Sequence, residues 1–274
     1  MKARLKGRSR LHGALIGAAV LGLALAQAAC QRARNPSDAM PMADAEVDAD
    51  GGYAAPPVVV SAQRVGDQVV INGRAEANGR LRLQTPEGAA FGGTAGADGG
   101  WSMPAPAVNA PRLYAVGEDV GDHILRAEGY VAALPSGRPA ALLRAGAGSL
   151  ALDAAAHHLA IGAVDYDGAG YAFVSGMAPP GAALRLQIDA NPSMEVKADA
   201  TGRFTLALKA NELPAGTHHL VLISPDATAV ATVAIDAPSP ISTTVFQGRR
   251  EGSAWRIDWR TPGGGVQTSL ILDP

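Results

Sequence analysis

The sequence contains a single cysteine, Cys30, among its 274 residues. One cysteine excludes an internal disulfide framework and a zinc site built from several thiolates. Aromatic residues make up only 4% of the chain, and the formal net charge is −2. The chain therefore lacks the strongly basic surface that is typical of nucleic-acid-binding proteins, and we expect no nucleic-acid partner.

The familiar motifs of enzyme chemistry are also missing. The sequence has no G-x-S-x-G nucleophile elbow, no H-E-x-x-H zinc motif and no phosphate-binding P-loop. The stretch 146–151 fits a degenerate G-x-G-x-x-A pattern, but a dinucleotide site also needs a βαβ unit, and the neighbouring sequence is rich in β-forming residues. We therefore expect no enzymatic activity and no cofactor.

Histidine and aspartate side chains do not form a recognisable metal motif. Neighbouring residues on a strand point to opposite faces, so His157-His158 and His218-His219 cannot each hold one ion with both rings. Calcium requires 6–8 oxygen ligands, usually from a dense acidic loop. Asp165, Asp167 and Asp189 are too few for such a loop and are interpreted as turn residues. The sequence predicts no metal site.

The N-terminal 29 residues have the pattern of a secretory signal peptide. Five basic residues precede an apolar run over residues 14–26, which ends in small residues. The run is too short to cross about 30 Å of hydrocarbon as a stable helix. We therefore expect residues 1–29 to be a signal peptide that is removed.

The segment Ala28-Ala29-Cys30 resembles the lipobox of bacterial lipoproteins. This resemblance implies that Cys30 is acylated and anchors the protein to a membrane, and Gln31 implies sorting to the outer membrane, facing the periplasm. The alternative is cleavage at an A-x-A site at 24–26 or 26–28, which would release a soluble periplasmic or secreted protein. Residues 30–57 are rich in Pro, Ala and acidic residues, and we expect them to be a disordered acidic tether that begins at the lipidated cysteine.

The folded part contains an internal repeat, in which residues 58–103 align without a gap with residues 161–206. Gly73 aligns with Gly176, and Trp101 aligns with Phe204. Both copies contain the run Leu-Arg-Leu-Gln, at 81–84 and 184–187, in which apolar and polar residues alternate. This alternation predicts strands with Leu83 and Leu186 in a core and the arginines facing water.

The second copy resembles the bacterial Ig-like domains of envelope and surface proteins. The resemblance lies in Ser-Gly-Met-Ala-Pro-Pro-Gly at 175–181, the alternating strand after it, and Ala-Thr-Gly-Arg-Phe at 200–204. It implies β-sandwiches with a modular spacer or binding role. The predicted fold is therefore all-β, with sandwich 1 at 58–137, a linker at 138–157, sandwich 2 at 158–236 and an extra C-terminal hairpin at 237–274.

The hairpin carries two of the three tryptophans. Trp255, Ile257 and Trp259 share one face of an alternating strand. Such a face packs into a core or a domain interface, which is the interpretation that we favour, or it presents its rings to a partner. In the second case Trp255 and Trp259, with Arg249 and Arg250 beside them, form the candidate binding surface.

These patterns favour a non-enzymatic envelope lipoprotein that acts as a scaffold, an adaptor, or a protein- or glycan-binding module. Its expected partners are a membrane, through the lipid anchor, and an envelope protein or glycan. The alternative is an accessory subunit or a hydrolase of the cell envelope, with a site at the junction of the two sandwiches. A deep polar pocket there with converging Asp and His side chains would favour this alternative.

Overall fold

The computed structural model describes residues 54–106, 109–135, 140–152, 158–210 and 212–273. The predicted signal peptide, Cys30 and nearly all of the acidic tether lie outside these residues. The described elements are twenty β-strands joined by turns and loops. No helix among the described residues is long and apolar enough to span a membrane.

The first repeat copy forms a sandwich of seven strands. These are β1 (Val58–Val65), β2 (Gln68–Arg74), β3 (Arg80–Gln84), β4 (Ala90–Thr94), β5 (Gly100–Pro106), β6 (Arg112–Val120) and β7 (His123–Arg126). Strands β1, β2 and β5 form one sheet, and β3, β4, β6 and β7 belong to the sheet that faces it. Leu83 is fully buried between the two sheets, as its alternation with arginine predicted.

Three further strands follow the first sandwich: β8 (Tyr130–Ala133), β9 (Ala140–Leu143) and β10 (Leu150–Ala151). They extend the second sheet in the order β10-β9-β8-β6-β3-β4. Strands β9 and β10 lie within the predicted linker at 138–157, which the structure therefore assigns in large part to the first sandwich. All four residues of β9, Ala-Ala-Leu-Leu, are apolar and buried, so this strand has no polar face.

The second copy repeats the same strands in the same order. These are β11 (Ala160–Asp167), β12 (Ala172–Met177), β13 (Ala183–Ile188), β14 (Met194–Lys197), β15 (Arg203–Leu208), β16 (Gly216–Ile223) and β17 (Thr228–Ile235). Strands β15, β12 and β11 form part of one sheet, and the other sheet has the order β14-β13-β16-β17. Leu186, like its counterpart Leu83, is fully buried. The predicted all-β fold with two tandem β-sandwiches is confirmed.

The C-terminal segment forms three strands, β18 (Phe246–Glu251), β19 (Ala254–Arg260) and β20 (Val266–Leu272). Strand β20 pairs with β11, so the sheet of the second sandwich grows to the order β15-β12-β11-β20-β19-β18. The predicted hairpin is therefore continuous with the second sandwich. It widens one of its sheets.

A glycine paired with an aromatic ring explains the most informative identities of the repeat. Gly73 lies opposite Trp101 in the pairing of β2 with β5, and Gly176 lies opposite Phe204 in the pairing of β12 with β15. A Cβ atom on Gly73 would lie 2.3 Å from Cζ2 of Trp101, and one on Gly176 would lie 2.9 Å from Cε1 of Phe204. Each ring therefore packs against a backbone that has room only for glycine.

The four sheets stack as four layers with three apolar cores between them. The outer cores lie inside each sandwich. The middle core joins the two sandwiches and is made by Leu113, Ala132, Leu134, Ala141 and Leu143 from the first, and by Ala163, Ile257, Trp259 and Ile271 from the second. The strands that follow each repeat copy supply most of these residues. The additions therefore join the two sandwiches into one unit.

Candidate functional site

Strand β19 directs its tryptophan face toward the first sandwich. Trp259 is 0% exposed, and its ring meets the ring of Tyr130 edge-to-face with 5.9 Å between centroids. Its indole Nε1 donates a hydrogen bond to Oγ of Ser269 at 3.1 Å. Trp259 therefore packs at the domain interface, the first of the two interpretations, and is not part of an exposed platform.

The other three residues of the candidate surface hold the hairpin together. Trp255 is half-buried, and the guanidinium of Arg250 lies 5.5 Å from its ring centroid. Arg250 also forms an ion pair with Asp273. Nη1 of Arg249 lies 3.3 Å from Oδ2 of Asp258. Both arginines are exposed, and each has partners within its own hairpin.

The opposite face of β19 buries a pair of charged side chains. Arg256 and Asp258 are almost completely buried, and Nε of Arg256 donates to Oδ1 of Asp258 at 3.1 Å. Burial alone would raise the pKa of Asp258, but the hydrogen bonds from Arg256 and Thr268 outweigh it and hold this pKa below its usual value. An alternating strand usually exposes its charged face, so the pattern itself gave no sign of this pair.

A second buried polar group lies at the junction of the sandwiches, around Asp165. The backbone N–H and the hydroxyl of Ser149 each donate to its carboxylate at 2.6 Å, and the hydroxyl of Ser269 donates as well. Burial raises the pKa of this carboxyl. The interpretation of Asp165 as a turn residue is wrong, because Asp165 lies within β11 and faces the first sandwich. Asp167, in contrast, accepts hydrogen bonds from backbone N–H groups of the turn that follows β11.

One histidine doublet packs against Asp189 at the end of β13. Nδ1 of His218 lies 2.7 Å from Oδ2 of Asp189, and its Nε2 lies 2.8 Å from the carbonyl oxygen of Pro214. Both ring nitrogens are thus occupied. The backbone N–H of His219 and the ring of His218 hold the pKa of Asp189 below its usual value. In the other doublet His158 is exposed, and His157 lies outside the described residues.

No group of three or more His, Cys, Asp or Glu side chains suited to a metal ion occurs in the part of the chain that the structure describes.

The junction also opens to solvent in a cleft of about 310 Å³ beside the buried core. Tyr130, Arg126, Glu128 and Pro262 line it, and Trp259 closes its floor without being exposed. A smaller cleft of about 180 Å³ shares Arg126 and Tyr130 and continues toward Pro86. The lining thus combines an aromatic ring with one positive and one negative side chain, and it includes no histidine.

Comparison with known proteins adds little to this geometry. No protein-family model and no curated protein matches the chain. Among solved structures, it is similar to one described as "Structural insight into host cell surface retention of a 1.5-MDa bacterial ice-binding adhesin", at 15% identity and a TM-score of 0.21 over 66% of this chain and 63% of that one.

Two further structures are similar at the same low level. A "Biofilm associated protein - BSP domain" has 16% identity and a TM-score of 0.23 over 66% of this chain and 30% of that one. A "Central Fibronectin-III array of RIM-binding protein" has 10% identity and a TM-score of 0.25 over 81% and 90%. The chain spans less than two thirds of the first two, and similarity at these TM-scores carries no argument about function.

Proposed function

We propose that this protein is a non-enzymatic binding module of the bacterial cell envelope that recognises a glycan in the junction cleft. The observation that supports this function is the convergence of Tyr130, Arg126 and Glu128 over the closed floor made by Trp259. Small-ligand sites combine an apolar or aromatic wall with a few polar groups that fix orientation, and a volume of about 300 Å³ lies at the lower end of their range.

The chemistry of the lining fits a sugar ring. One face of a pyranose is apolar and can lie against the ring of Tyr130, while its hydroxyl groups can hydrogen-bond to the guanidinium of Arg126 and the carboxylate of Glu128. Arg126 and Glu128 are both exposed, so they are accessible to a ligand from solvent. Tyr130 is half-buried and is fixed in place by Trp259, so the site is largely preformed.

A carbohydrate-retention experiment tests this proposal. The probe is insoluble peptidoglycan, and retention of the protein is measured by co-sedimentation. Arg126→Ala removes one proposed ligand contact at an exposed position, so we expect it to weaken retention about tenfold while the melting temperature stays unchanged. Arg185→Ala, at an exposed arginine on the outermost sheet of the second sandwich, is the matched control.

Retention that is equal in Arg126→Ala and in the control would contradict the cleft as the binding site. No retention of the parent protein, together with recovery of an envelope protein from native membranes, would favour the adaptor role over the glycan-binding role. The hydrolase alternative has no comparable support at this junction, because the carboxylate of Asp165 is sealed from solvent and the cleft brings Glu128 but no His into its lining.

The proposed location in the envelope depends on Cys30, which lies outside the described residues. We propose that acylation of Cys30 holds the two sandwiches at the outer membrane through the acidic tether, since several acyl chains together give stable anchoring. Labelling with a fatty-acid analogue tests it. Cys30→Ser should abolish the label and move the protein to the soluble fraction, whereas a parent protein that takes up no label would contradict lipidation.

A further inference from the structure

Strand β17 is a sheet edge without the usual protection against pairing with another chain. Natural proteins protect sheet edges with charges, prolines, short strands or covering segments. Strand β17 is eight residues long, reads Thr-Ala-Val-Ala-Thr-Val-Ala-Ile, and ends its sheet in the order β14-β13-β16-β17. It contains neither a charged residue nor a proline, and no other strand of the described residues pairs with its outer side.

The other long edges of the molecule are protected. Strand β5 carries Pro104 and Pro106, and β18 carries Arg249, Arg250 and Glu251. In strand β1, the backbone N–H of Ala62 donates to the carbonyl oxygen of Leu152, and the carbonyl oxygen of Val60 accepts a hydrogen bond from the guanidinium of Arg203 in the second sandwich. The counterpart of β17 in the first sandwich, β7, has only four residues, two of which are His123 and Arg126. The first copy therefore has no equivalent of the long, uncharged edge at β17.

An apolar side chain lies in the middle of this edge and faces outward. Val230 is 74% exposed, more than any other large hydrophobic residue among those described. It pairs in register with Val221 of β16, whose side chain lies on the same outer face. Two β-branched side chains therefore form a short apolar row that runs up to the open edge and stops there. Such a row is stabilising when a further β-branched side chain continues it.

We propose that β17 pairs antiparallel with β17 of a second copy of this chain, around a two-fold axis at Val230. In this register Val230 lies opposite Val230 of the partner, and Thr228 lies opposite the partner's Thr232. Valine pairs and threonine pairs are both favourable across strands. The row becomes Val221-Val230-Val230-Val221 across the axis, and the four-stranded sheet becomes an eight-stranded sheet shared by two chains.

The charges at the ends of β17 are compatible with this register. Asp226 and Asp236 flank the strand and are exposed. Around an axis at Val230, Asp226 lies opposite Ala234 of the partner, and Asp236 lies opposite the partner's Ser224. Like charges directly opposite each other destabilise a strand pair, and this register avoids them. Between the two aspartates the edge is uncharged, so it presents nothing that repels its own copy.

Sedimentation velocity over a range of protein concentrations tests the proposal. We expect a concentration-dependent dimer in the parent protein. Val230→Lys places two like charges at the axis and should weaken dimerisation at least about tenfold. The matched control is Ile124→Lys, which makes the same kind of change at an exposed apolar position on the protected edge β7 and should leave the equilibrium unchanged. Circular dichroism confirms that both variants are folded.

Disulfide trapping in a Cys30→Ser background tests the register. Val230→Cys brings two sulfurs together at the axis, because directly opposed Cβ atoms lie about 4.5–5.5 Å apart. Thr232→Cys leaves its two sulfurs about 13 Å apart along the strands and should not cross-link. A protein that stays monomeric at all concentrations would overturn the proposal and leave this edge to a strand from another protein. So would a dimer that Val230→Lys does not weaken, or cross-linking through Thr232→Cys in place of Val230→Cys.

Discussion

Replacing Trp259 by alanine tests whether the two sandwiches are joined by the middle core. The indole is completely buried, and a tryptophan side chain buries about 150–250 Å². At about 25 cal/mol per Å² this area corresponds to about 4–6 kcal/mol. The unfolded chain already buries part of it, which lowers the expected loss to about 3–5 kcal/mol, in line with measured Trp→Ala changes in cores.

The loss of the indole hydrogen bond should add little to this figure. Ser269, which accepts it, still donates its own hydroxyl to Asp165. The larger secondary effect falls on Tyr130, whose ring would lose its edge-to-face neighbour and the floor of the cleft. We therefore expect Trp259→Ala to lower the free energy of unfolding and also to weaken the proposed glycan binding.

Urea unfolding followed by far-UV circular dichroism measures the change without depending on tryptophan fluorescence. Trp255→Ala is the matched control, because Trp255 lies on the same face of β19 but is only half-buried, and it should cost clearly less. A Trp259→Ala protein that unfolds at the same urea concentration as the parent would refute the assignment of this side chain to a core between the sandwiches.

Three further predictions concern glycine packing and the two aspartates with opposite pKa shifts. Gly176→Ala should destabilise the protein by about 1–3 kcal/mol, because a Cβ would lie 2.1 Å from the carbonyl oxygen of Ala160. The control Gly92→Ala, where a Cβ would meet nothing within 4 Å, should change stability by less than about 0.5 kcal/mol, and equal urea midpoints for the two variants would contradict this prediction. Burial raises the pKa of Asp165 above 3.8, so the folded state binds this proton more tightly, and the stability of the parent relative to Asp165→Asn should increase as the pH falls through the raised value. The pKa of Asp189 is lowered, so its effect on stability has the opposite pH dependence: the stabilisation is present above about pH 4 and is lost at lower pH. The parent should therefore lose stability relative to Asp189→Asn in acid. In either comparison, parallel pH profiles of parent and variant would refute the corresponding pKa shift.

Sequence alternation predicted the strands that have one face toward solvent and one face buried in a core. The run Leu-Arg-Leu-Gln occurs in β3 and β13, and in both copies the leucines are buried. These strands belong to sheets or parts of sheets with solvent on one side, where the period of two is preserved. The prediction of two sandwiches rests on such strands and is confirmed.

The same logic failed where a strand lies between two layers. In β9, Ala140 and Leu142 face the core of the first sandwich, while Ala141 and Leu143 face the middle core. A strand that is dry on both faces has no alternation, so residues 138–157 resembled a linker. The middle core itself could not be predicted, because its residues are far apart in sequence and each of them fits an ordinary sandwich position.

The candidate site shows a similar limit. The alternation in β19 placed Trp255 and Trp259 on one face, and this is observed. It could not show that the first sandwich would cover that face, nor that Tyr130 would meet Trp259 across the junction. Arg126 and Glu128 lie in and just after a short strand with no motif around them, so no sequence signal marked them as lining a cleft.

The central position of β20 has a consequence for the order in which the protein can fold during synthesis. Strand β11 is synthesised about a hundred residues before its partner β20, which is the last strand of the described chain. In the sheet, β20 lies between β11 and β19. A growing polypeptide can therefore assemble the first sandwich while one side of β11 still waits for its neighbour. Pairing between such distant segments is slow, because the intervening loop must close first. We expect the nascent second half to depend on protection from aggregation until its final strand has emerged.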